Sequence, residues 1–273
     1  MAVLLGCRAA GKSSSANTIL GRQECDLRSS TAQCVKRQGE VAGRQLTVVE
    51  APGWWSNVSL KSTPEPTKQR ILHSVGVCSP GPHVLLIHIP VQVTFTEDIM
   101  RNLQEHLELL GEGVWRHTVV LFTYGGWLGG APIEQHIEIE GCLKHLVEKC
   151  GNRYHVIDNE NKGDQRQISE LMERLEETIT ENEGGHYTIA METLMAAEIR
   201  AASVLSQLQE ISEKIRNMLS QVMETIPAGS DSPADQHVLQ ELDRVRGLLH
   251  TEAQETDTEL SRETGMFRNR IQF

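Results

Sequence analysis

The chain has 273 residues, of which 39% are hydrophobic and 4% aromatic, and its formal net charge is −11. This length accommodates one α/β domain of ordinary size with an extension. The negative charge argues against non-specific binding to nucleic acid, which requires a basic face, and no apolar run approaches the length of a membrane span. The six cysteines show no metal-binding spacing and the first residues do not resemble a secretory leader, so we expect reduced thiols in a cytosolic protein.

The first segment combines a short apolar run, residues 1–5, with a glycine-rich turn and a predicted helix over 14–20. The turn has the spacing G-x-x-x-x-G-K-[ST], with its fixed positions at Gly6, Gly11, Lys12 and Ser13. In such a loop the backbone N–H groups and the lysine contact phosphate oxygens, and the hydroxyl is a ligand of Mg²⁺. The strand before it and the helix after it favour this interpretation over a strand–helix turn with an incidental lysine.

Residues 22–33 are polar and rich in turn formers, which predicts a loop over the phosphates. Thr31 is the candidate in this loop for contact with a γ-phosphate and Mg²⁺. A solvated loop threonine is an alternative of nearly equal weight.

Two segments, 34–41 and 44–50, predict a β-hairpin. Its second strand ends at Glu50, where P-loop NTPases carry an acidic residue that holds Mg²⁺ through water, usually as Asp in D-x-x-G. Gly53 would donate its backbone N–H to a γ-phosphate. Trp54 follows, where many GTPases carry a glutamine that positions the attacking water. An indole cannot do this, so we assign no catalytic residue.

The remaining segments alternate between helix and strand. Helices are predicted at 64–76, 96–111, 132–149 and 168–179, and strands at 81–90, 117–123 and 154–157. This order predicts an α/β P-loop NTPase fold, a doubly wound, mostly parallel sheet with an antiparallel edge. We expect His83 and His88, within the apolar run 81–90, to be core or edge histidines rather than ligands.

The pattern changes after residue 184. Apolar residues then step by four and three, as a heptad seam does, at Val204, Leu208, Ile211, Ile215, Met218 and Val222. We expect an amphipathic helix over 184–226, a linker over 227–235, and a second helix and tail over 236–273. Three arrangements stay open: a hairpin packed on its own domain, a coiled coil with another chain, and a flexible tail.

Several segments taken in order resemble the GIMAP family, the immunity-associated guanine-nucleotide-binding proteins related to septins. They are GCRAAGKSSSANTILG, EAPGWW, GPHVLLIHIP, VVLFTYG and VEKCGNRYHVIDN, within residues 1–183. The chain resembles a fish-type or tandem-type member. The resemblance implies a Ras-like guanine-nucleotide-binding domain over 1–183 that binds GTP and GDP with Mg²⁺ and hydrolyses GTP slowly or not at all. It also implies homo- or hetero-oligomers with related domains in the GTP form, and a part in immune responses in the cytoplasm or peripherally on intracellular membranes.

Functional residues are carried over from the family only where its motifs match. Those implied to bind phosphate are Gly6, Cys7, Arg8, Ala9, Ala10, Gly11, Lys12, Ser13, Ser14, Thr31 and Gly53. Those implied to contact the base are Thr123, Tyr124, Gly126, Asp158 and Asn159. Those implied to hold the metal are Ser13, Thr31 and Glu50.

Two positions depart from the family pattern. Glu50 stands in place of the usual Asp, and Gly126 stands where the base-recognition motif ends in an Asp that accepts from guanine N1–H and the exocyclic amine. Two such charged hydrogen bonds, at about 1.5–3 kcal/mol each, correspond to a loss of guanine affinity on the order of 10²- to 10⁴-fold. The sequence therefore predicts a guanine-nucleotide switch, with a degenerate pseudo-GTPase scaffold that acts through its helical tail as the alternative. An ATP-dependent kinase is a weaker candidate, because no lid or acceptor site is evident.

Overall fold

The computed structural model describes residues 1–22, 33–161 and 163–225, together with 237–238, 240–242 and 244–245. Thr31 and the predicted linker 227–235 lie outside the described residues. The chain divides into two units, Met1–Thr193 and Leu194–Phe273.

The described residues of the first unit form a six-stranded sheet. Its strands are β1 (Ala2–Gly6), β2 (Val35–Val41), β3 (Arg44–Glu50), β4 (Val84–Pro90), β5 (Thr118–Thr123) and β6 (Tyr154–Ile157). Their order across the sheet is β2-β3-β1-β4-β5-β6. Only the edge strand β2 runs antiparallel to its neighbour, and the other pairs are parallel. The predicted doubly wound sheet with an antiparallel edge is confirmed.

Seven α-helices lie in the described part of the chain. They are α1 (Lys12–Ile19), α2 (Glu65–Gly76), α3 (Glu97–Glu108), α4 (Ile133–Ile139), α5 (Gly141–Lys149), α6 (Gln165–Glu181) and α7 (Met191–Thr225). The hydroxyl of Thr96 caps α3 as predicted, because it accepts the backbone N–H of Ile99 at 3.3 Å. None of the helices among these residues is long and apolar enough to cross a bilayer.

The helix predicted over 132–149 is two helices in the structure. The chain turns out of the helical conformation at Glu140, whose φ is −100° and ψ is 92°, and α5 starts at Gly141. The Glu140 carboxylate accepts the backbone N–H of Phe95 at 2.8 Å. An apolar periodicity of 3.6 continues across this break, so the sequence pattern alone did not indicate it.

The central strands β1, β4 and β5 are buried along nearly their whole length. Residues of β1, β4 and β5 pack with α1 and α6 in one continuous cluster, which includes Leu4, Leu86, Leu121, Ile19 and Leu171. His88 of β4 is also fully buried, so the prediction of a core histidine is confirmed there. Its Nδ1 lies 3.1 Å from the carbonyl oxygen of Leu5, and burial lowers its pKa to about 3.

Helix α7 contains all six residues of the predicted heptad seam. Four seam residues are exposed on it, at 46–56% of their full surface: Leu208, Ile211, Met218 and Val222. Residues 237–245, where described, are helical as well. The three arrangements proposed for the region after residue 184 stay predictions.

Candidate functional site

Parallel strands place their carboxyl ends at one edge of a sheet, where α/β proteins bind their ligands. In this chain the segments that follow β1, β3, β5 and β6 meet at that edge. These four segments contain the predicted phosphate, metal and base residues, apart from Thr31. The structure therefore brings together in space what the sequence distributes over about 150 positions.

The turn after β1, the predicted phosphate loop, contains several residues with positive φ. Gly6 and Gly11 have φ of 139° and 89°, and Ala9 lies in the left-handed region at 60°. Helix α1 begins directly after Gly11, at Lys12. A helix N-terminus presents unpaired N–H groups and a positive partial charge, so this end of the loop suits an anion.

Lys12 is 5% exposed and its ammonium group is held by the loop itself. Its Nζ donates to the carbonyl oxygens of Cys7 at 2.8 Å and Gly6 at 3.2 Å. Burial lowers the pKa of Lys12 to about 8, and the nearby Glu50 carboxylate opposes this shift. The Lys12 side chain is thus fixed beside the loop, and a bound phosphate would stabilise its protonated form.

The predicted metal residues Ser13 and Glu50 are in direct contact. The Ser13 hydroxyl donates to Oε1 of Glu50, whose side chain is buried and whose Oε2 lies 3.4 Å from Nη1 of Arg37. Mg²⁺ in nucleotide sites takes one or two protein oxygen ligands together with phosphate oxygens and water. A hydroxyl and a carboxylate beside a phosphate loop fit this donor set, and the longer side chain of Glu still reaches the hydroxyl.

Gly53 lies against the phosphate loop and leaves no room for a side chain. A Cβ atom at this position would be 2.7 Å from Nζ of Lys12 and 2.8 Å from the backbone nitrogen of Arg8. The N–H of Arg8 donates to the carbonyl oxygen of Trp54 at 2.7 Å. The segment after β3 is therefore joined to the loop through its backbone.

The Trp54 side chain points into the protein and is 2% exposed. Its ring stacks on His106 of α3, with the centroids 4.7 Å apart and the planes at 7°. The next residue, Trp55, is 56% exposed, and the Arg8 guanidinium lies 4.7 Å from its ring centroid. The site thus differs at position 54 from that of many GTPases, because a buried tryptophan stands in place of the glutamine that positions the attacking water.

Two predicted base residues contact the phosphate loop. The Thr123 hydroxyl donates to the carbonyl oxygen of Ala10 at 3.0 Å. Asn159 is 3% exposed, accepts from the Ser15 hydroxyl at 3.3 Å and donates to the carbonyl oxygen of Gly11 at 3.5 Å. These bonds hold the ends of β5 and β6 beside the start of α1.

The other predicted base residues border the same edge. Tyr124 has a left-handed backbone with φ of 61°, and burial and the neighbouring Glu160 raise the pKa of its hydroxyl. Gly126 lies in the short 3-10 turn Gly125–Leu128. Asp158 follows β6 directly, and its carboxylate faces Gly126.

With this geometry established, comparison with known proteins identifies the family. Residues 1–208 match the AIG1 family. The chain belongs to the AIG1 family. Its similarity to GTPase IMAP proteins confirms the predicted GIMAP resemblance.

Relatives of this AIG1-family chain come from animals and plants. GTPase IMAP family member 8 of Rattus norvegicus is 30% identical over 193 residues, which is 68% of this chain and 27% of that protein. Its Homo sapiens counterpart is 26% identical over 70% of this chain and 29% of that protein. Immune-associated nucleotide-binding protein 13 of Arabidopsis thaliana is 25% identical over 68% of this chain and 57% of that protein. The chain thus spans about a quarter to just over half of these relatives.

Solved structures similar to this AIG1-family chain include Toc33 from Arabidopsis thaliana. Its complex with GDP and Mg²⁺ has a TM-score of 0.52 and 14% identity, over 66% of this chain and 83% of that one. Its complex with Mg²⁺ and GMPPNP has a TM-score of 0.51 and 15% identity, over the same shares. At this identity the likeness establishes the G-domain fold of the AIG1-family chain and nothing finer.

Sequence reasoning missed residues that support the site from outside the motifs. Arg37 neutralises Glu50 from the neighbouring strand, and His106 holds the Trp54 ring. Gln167 of α6 accepts the backbone N–H of Asp158 at 2.7 Å. A basic residue in the hairpin strand that pairs with β3 was a usable signal for Arg37, whereas nothing local distinguishes His106 or Gln167.

Proposed function

We propose that this chain binds GTP and GDP together with Mg²⁺ and acts as a guanine-nucleotide switch. The observation that carries the proposal is the contact between Ser13 and Glu50 beside the buried Lys12. A point charge for the phosphates and two oxygen ligands for the metal lie together at the N-terminus of α1. Membership of the AIG1 family supports the same conclusion, as does the fold shared with Toc33, which was solved in complex with GDP and Mg²⁺.

In this function Lys12 contacts the β- and γ-phosphates, and the N–H groups of the loop from Gly6 to Ser14 surround them. Ser13 and Glu50 hold Mg²⁺, and Thr31 completes the metal site in the GTP form. Gly53 donates its N–H to the γ-phosphate. The metal neutralises phosphate charge, while the residues of the chain fix the phosphates in place.

The base lies beside Thr123, Tyr124, Gly126, Asp158 and Asn159. Support comes from the buried bonds that Thr123 and Asn159 make to the phosphate loop. The contacts of these two residues bring the ends of β5 and β6 to the start of α1, where a nucleotide that is held by its phosphates would extend its sugar and base.

Hydrolysis of GTP is slow or absent in this proposal. Water attack on the γ-phosphate needs a group that orients the water, and the side chain at position 54 is instead packed on His106. The GTP-bound form of the chain therefore has a long lifetime. In this form the chain oligomerises with copies of itself or with related G domains. Residues 1–183 form the G domain, and the chain works in the cytoplasm or peripherally on intracellular membranes.

A second function is favoured by one observation, the exposed apolar seam of α7. In that case the chain is a pseudo-GTPase scaffold, and its helical segment 184–226 contacts the partner. The linker 227–235 and the second helix and tail 236–273 stay predictions from the sequence.

Equilibrium binding of fluorescent GTP and GDP to the full chain and to Lys12→Ala tests the proposal. We expect saturable binding that falls at least tenfold in the variant, because a charged hydrogen-bond donor to phosphate is removed. The oligomeric state of the native chain, measured with GTP and with GDP, separates the two functions. A switch oligomerises with GTP and not with GDP, and a scaffold shows no such difference. Equal nucleotide binding by the native chain and Lys12→Ala contradicts nucleotide recognition by this loop.

A further inference from the structure

The carboxylate of Asp158 occupies the place into which a side chain at position 126 would project. A Cβ atom on Gly126 would lie 2.9 Å from Oδ2 of Asp158, 3.4 Å from its Cγ and 3.5 Å from its Oδ1. The backbone of Gly126 has no positive φ that would require glycine. Glycine at this position therefore provides space for the Asp158 side chain.

The Asp158 side chain is fixed by its own surroundings. Its Oδ1 accepts the backbone N–H of Glu160 at 3.0 Å, and its backbone N–H donates to Oε1 of Gln167. Gln167 is in turn held by the carbonyl oxygen of Asn161 at 2.9 Å. Since Oδ1 is engaged with the backbone, Oδ2 is the oxygen directed at Gly126. The carboxylate is held in position before any ligand binds.

The position of this carboxylate is set relative to the phosphate loop by the next residue. Asn159 contacts both Gly11 and Ser15 at the start of α1. The register of the last strand pair places Thr123 opposite Ile157, so the segments after β5 and β6 leave the sheet side by side. Oδ2 of Asp158 thus lies at the carboxyl edge of the sheet, and the next residue, Asn159, contacts the phosphate loop.

From this geometry we infer that Asp158 reads the guanine base, in place of a side chain at position 126. Guanine presents two adjacent donors, N1–H and the exocyclic amine, and a carboxylate is the matching acceptor. This inference rests on the proposed nucleotide binding. It replaces the expectation that Gly126 leaves the chain without guanine preference, because the acceptor is supplied from the neighbouring loop.

The test is competition binding of GTP, XTP, ITP and ATP with Mg²⁺ to the full chain, to Asp158→Asn and to Glu160→Gln. Asp158→Asn converts one acceptor into a donor, which opposes the guanine amine and matches the 2-oxo group of xanthine. We expect its preference for GTP over XTP to fall at least 100-fold, from two altered hydrogen bonds. Glu160→Gln removes the same charge two residues away at an exposed position, and we expect less than a threefold change.

A pair of variants at position 126 gives a second test. Gly126→Asp alone places two carboxylates in one place, so we expect no gain in GTP affinity. Gly126→Asp combined with Asp158→Ala leaves one carboxylate and removes the atoms that crowd position 126, so we expect GTP preference to return at least tenfold relative to Asp158→Ala. A gain in GTP affinity from Gly126→Asp alone would overturn the inference.

The remaining outcomes separate the inference from the function on which it rests. If the native chain binds no nucleoside triphosphate, the proposed function and the inference both fail. If it binds GTP but Asp158→Asn and Glu160→Gln show the same base preference, only the reading by Asp158 fails. If Asp158→Asn does not fold, the comparison of GTP with ITP on the native chain tests the inference, because ITP lacks the exocyclic amine of guanine. We expect at least tenfold weaker ITP binding, and equal binding of GTP and ITP would overturn the inference.

Discussion

The charge that would meet the phosphates is carried by a lysine whose proton is weakly held. Two loop carbonyls fix Nζ of Lys12, yet burial lowers its pKa to about 8 from its ordinary value of 10.5. Such a lysine is charged near neutral pH and loses its proton in mild alkali. Phosphate binding favours the protonated form, so binding and protonation of Lys12 are coupled.

We therefore predict that GTP affinity falls as the pH rises above about 8, by up to about tenfold per pH unit, because binding then requires proton uptake. The measurement is the dissociation constant between pH 7 and 9. Lys12→Arg is the control, since its guanidinium stays charged and any titration of the nucleotide affects both proteins alike. Parallel pH profiles for the native chain and Lys12→Arg would contradict this role of the lysine proton.

Gly53 offers a second test at the residue scale. In Gly53→Ala the new methyl group would lie within 2.8 Å of Lys12 Nζ and of the Arg8 backbone nitrogen, so loop and lysine must shift. We expect GTP affinity to fall about tenfold or more, because displaced charged donors weaken by this order. Gly141→Ala is the matched control, as its Cβ meets no atom within 4 Å, and there we expect unchanged affinity.

At the scale of elements, the segment after β3 is fixed at both of its sides. Its backbone accepts the N–H of Arg8 in the phosphate loop, and it also bonds to side chains of α3. Besides the Trp54–His106 stack, Asn102 donates to the carbonyl oxygen of Ser56 at 2.9 Å and Glu105 accepts the N–H of Leu60 at 3.0 Å. A shift of this segment on nucleotide exchange would therefore be transmitted to α3.

Trp54→Gln tests whether the side chain at position 54 stabilises the core or takes part in GTP hydrolysis. We predict a loss of about 3 kcal/mol or more in the free energy of unfolding, because a large buried aromatic is removed. We predict no rise in GTP hydrolysis, since the side chain faces His106. Chemical denaturation and phosphate release give the two readouts. Trp55→Gln, at an exposed position, is the control, and faster hydrolysis by Trp54→Gln would contradict the assignment.

At the scale of the whole molecule, the stability of the fold is linked to pH through its buried histidines. The pKa of His88 falls to about 3 because its side chain is fully buried in β4, where it pairs with Gly6 of β1, and because the Lys12 charge lowers the pKa further. The unfolded chain takes up a proton below about pH 6.5, while the folded chain does not. The stabilising contribution of neutral His88 is thus complete above pH 6.5 and is lost progressively as the pH falls toward 3.

We predict that His88→Asn removes this dependence. The difference in free energy of unfolding between the native chain and the variant should shrink by about 2 kcal/mol between pH 7 and 5, at about 1.4 kcal/mol per pH unit. Urea denaturation at each pH measures it. His145→Asn, on the exposed side of α5, should show no such change, and a constant difference for His88→Asn would contradict the linkage.

The sequence predicts features that are encoded locally and misses those that depend on distant contacts. The strand, glycine-rich turn and helix of the first segment, the other strands and the cap at Thr96 depend on residues a few positions apart, and the predictions made for them agree with the structure. The break at Glu140 depends on Phe95, and the room for Asp158 depends on Gly126, 32 positions earlier. Position 126 considered alone predicts the loss of the carboxylate that accepts from guanine. The carboxylate that lies beside this position belongs to Asp158, in another loop.

Calorimetric titration of the full chain with GTP, with Mg²⁺ present and with Mg²⁺ chelated, tests the central claim most directly. The arrangement of Lys12, Ser13 and Glu50 predicts one nucleotide per chain, and an affinity at least about tenfold higher when Mg²⁺ is present. Ser13→Ala, which removes a metal ligand but no charge, should lose most of that difference. The absence of saturable binding, or binding that is indifferent to both Mg²⁺ and Ser13→Ala, would contradict the account.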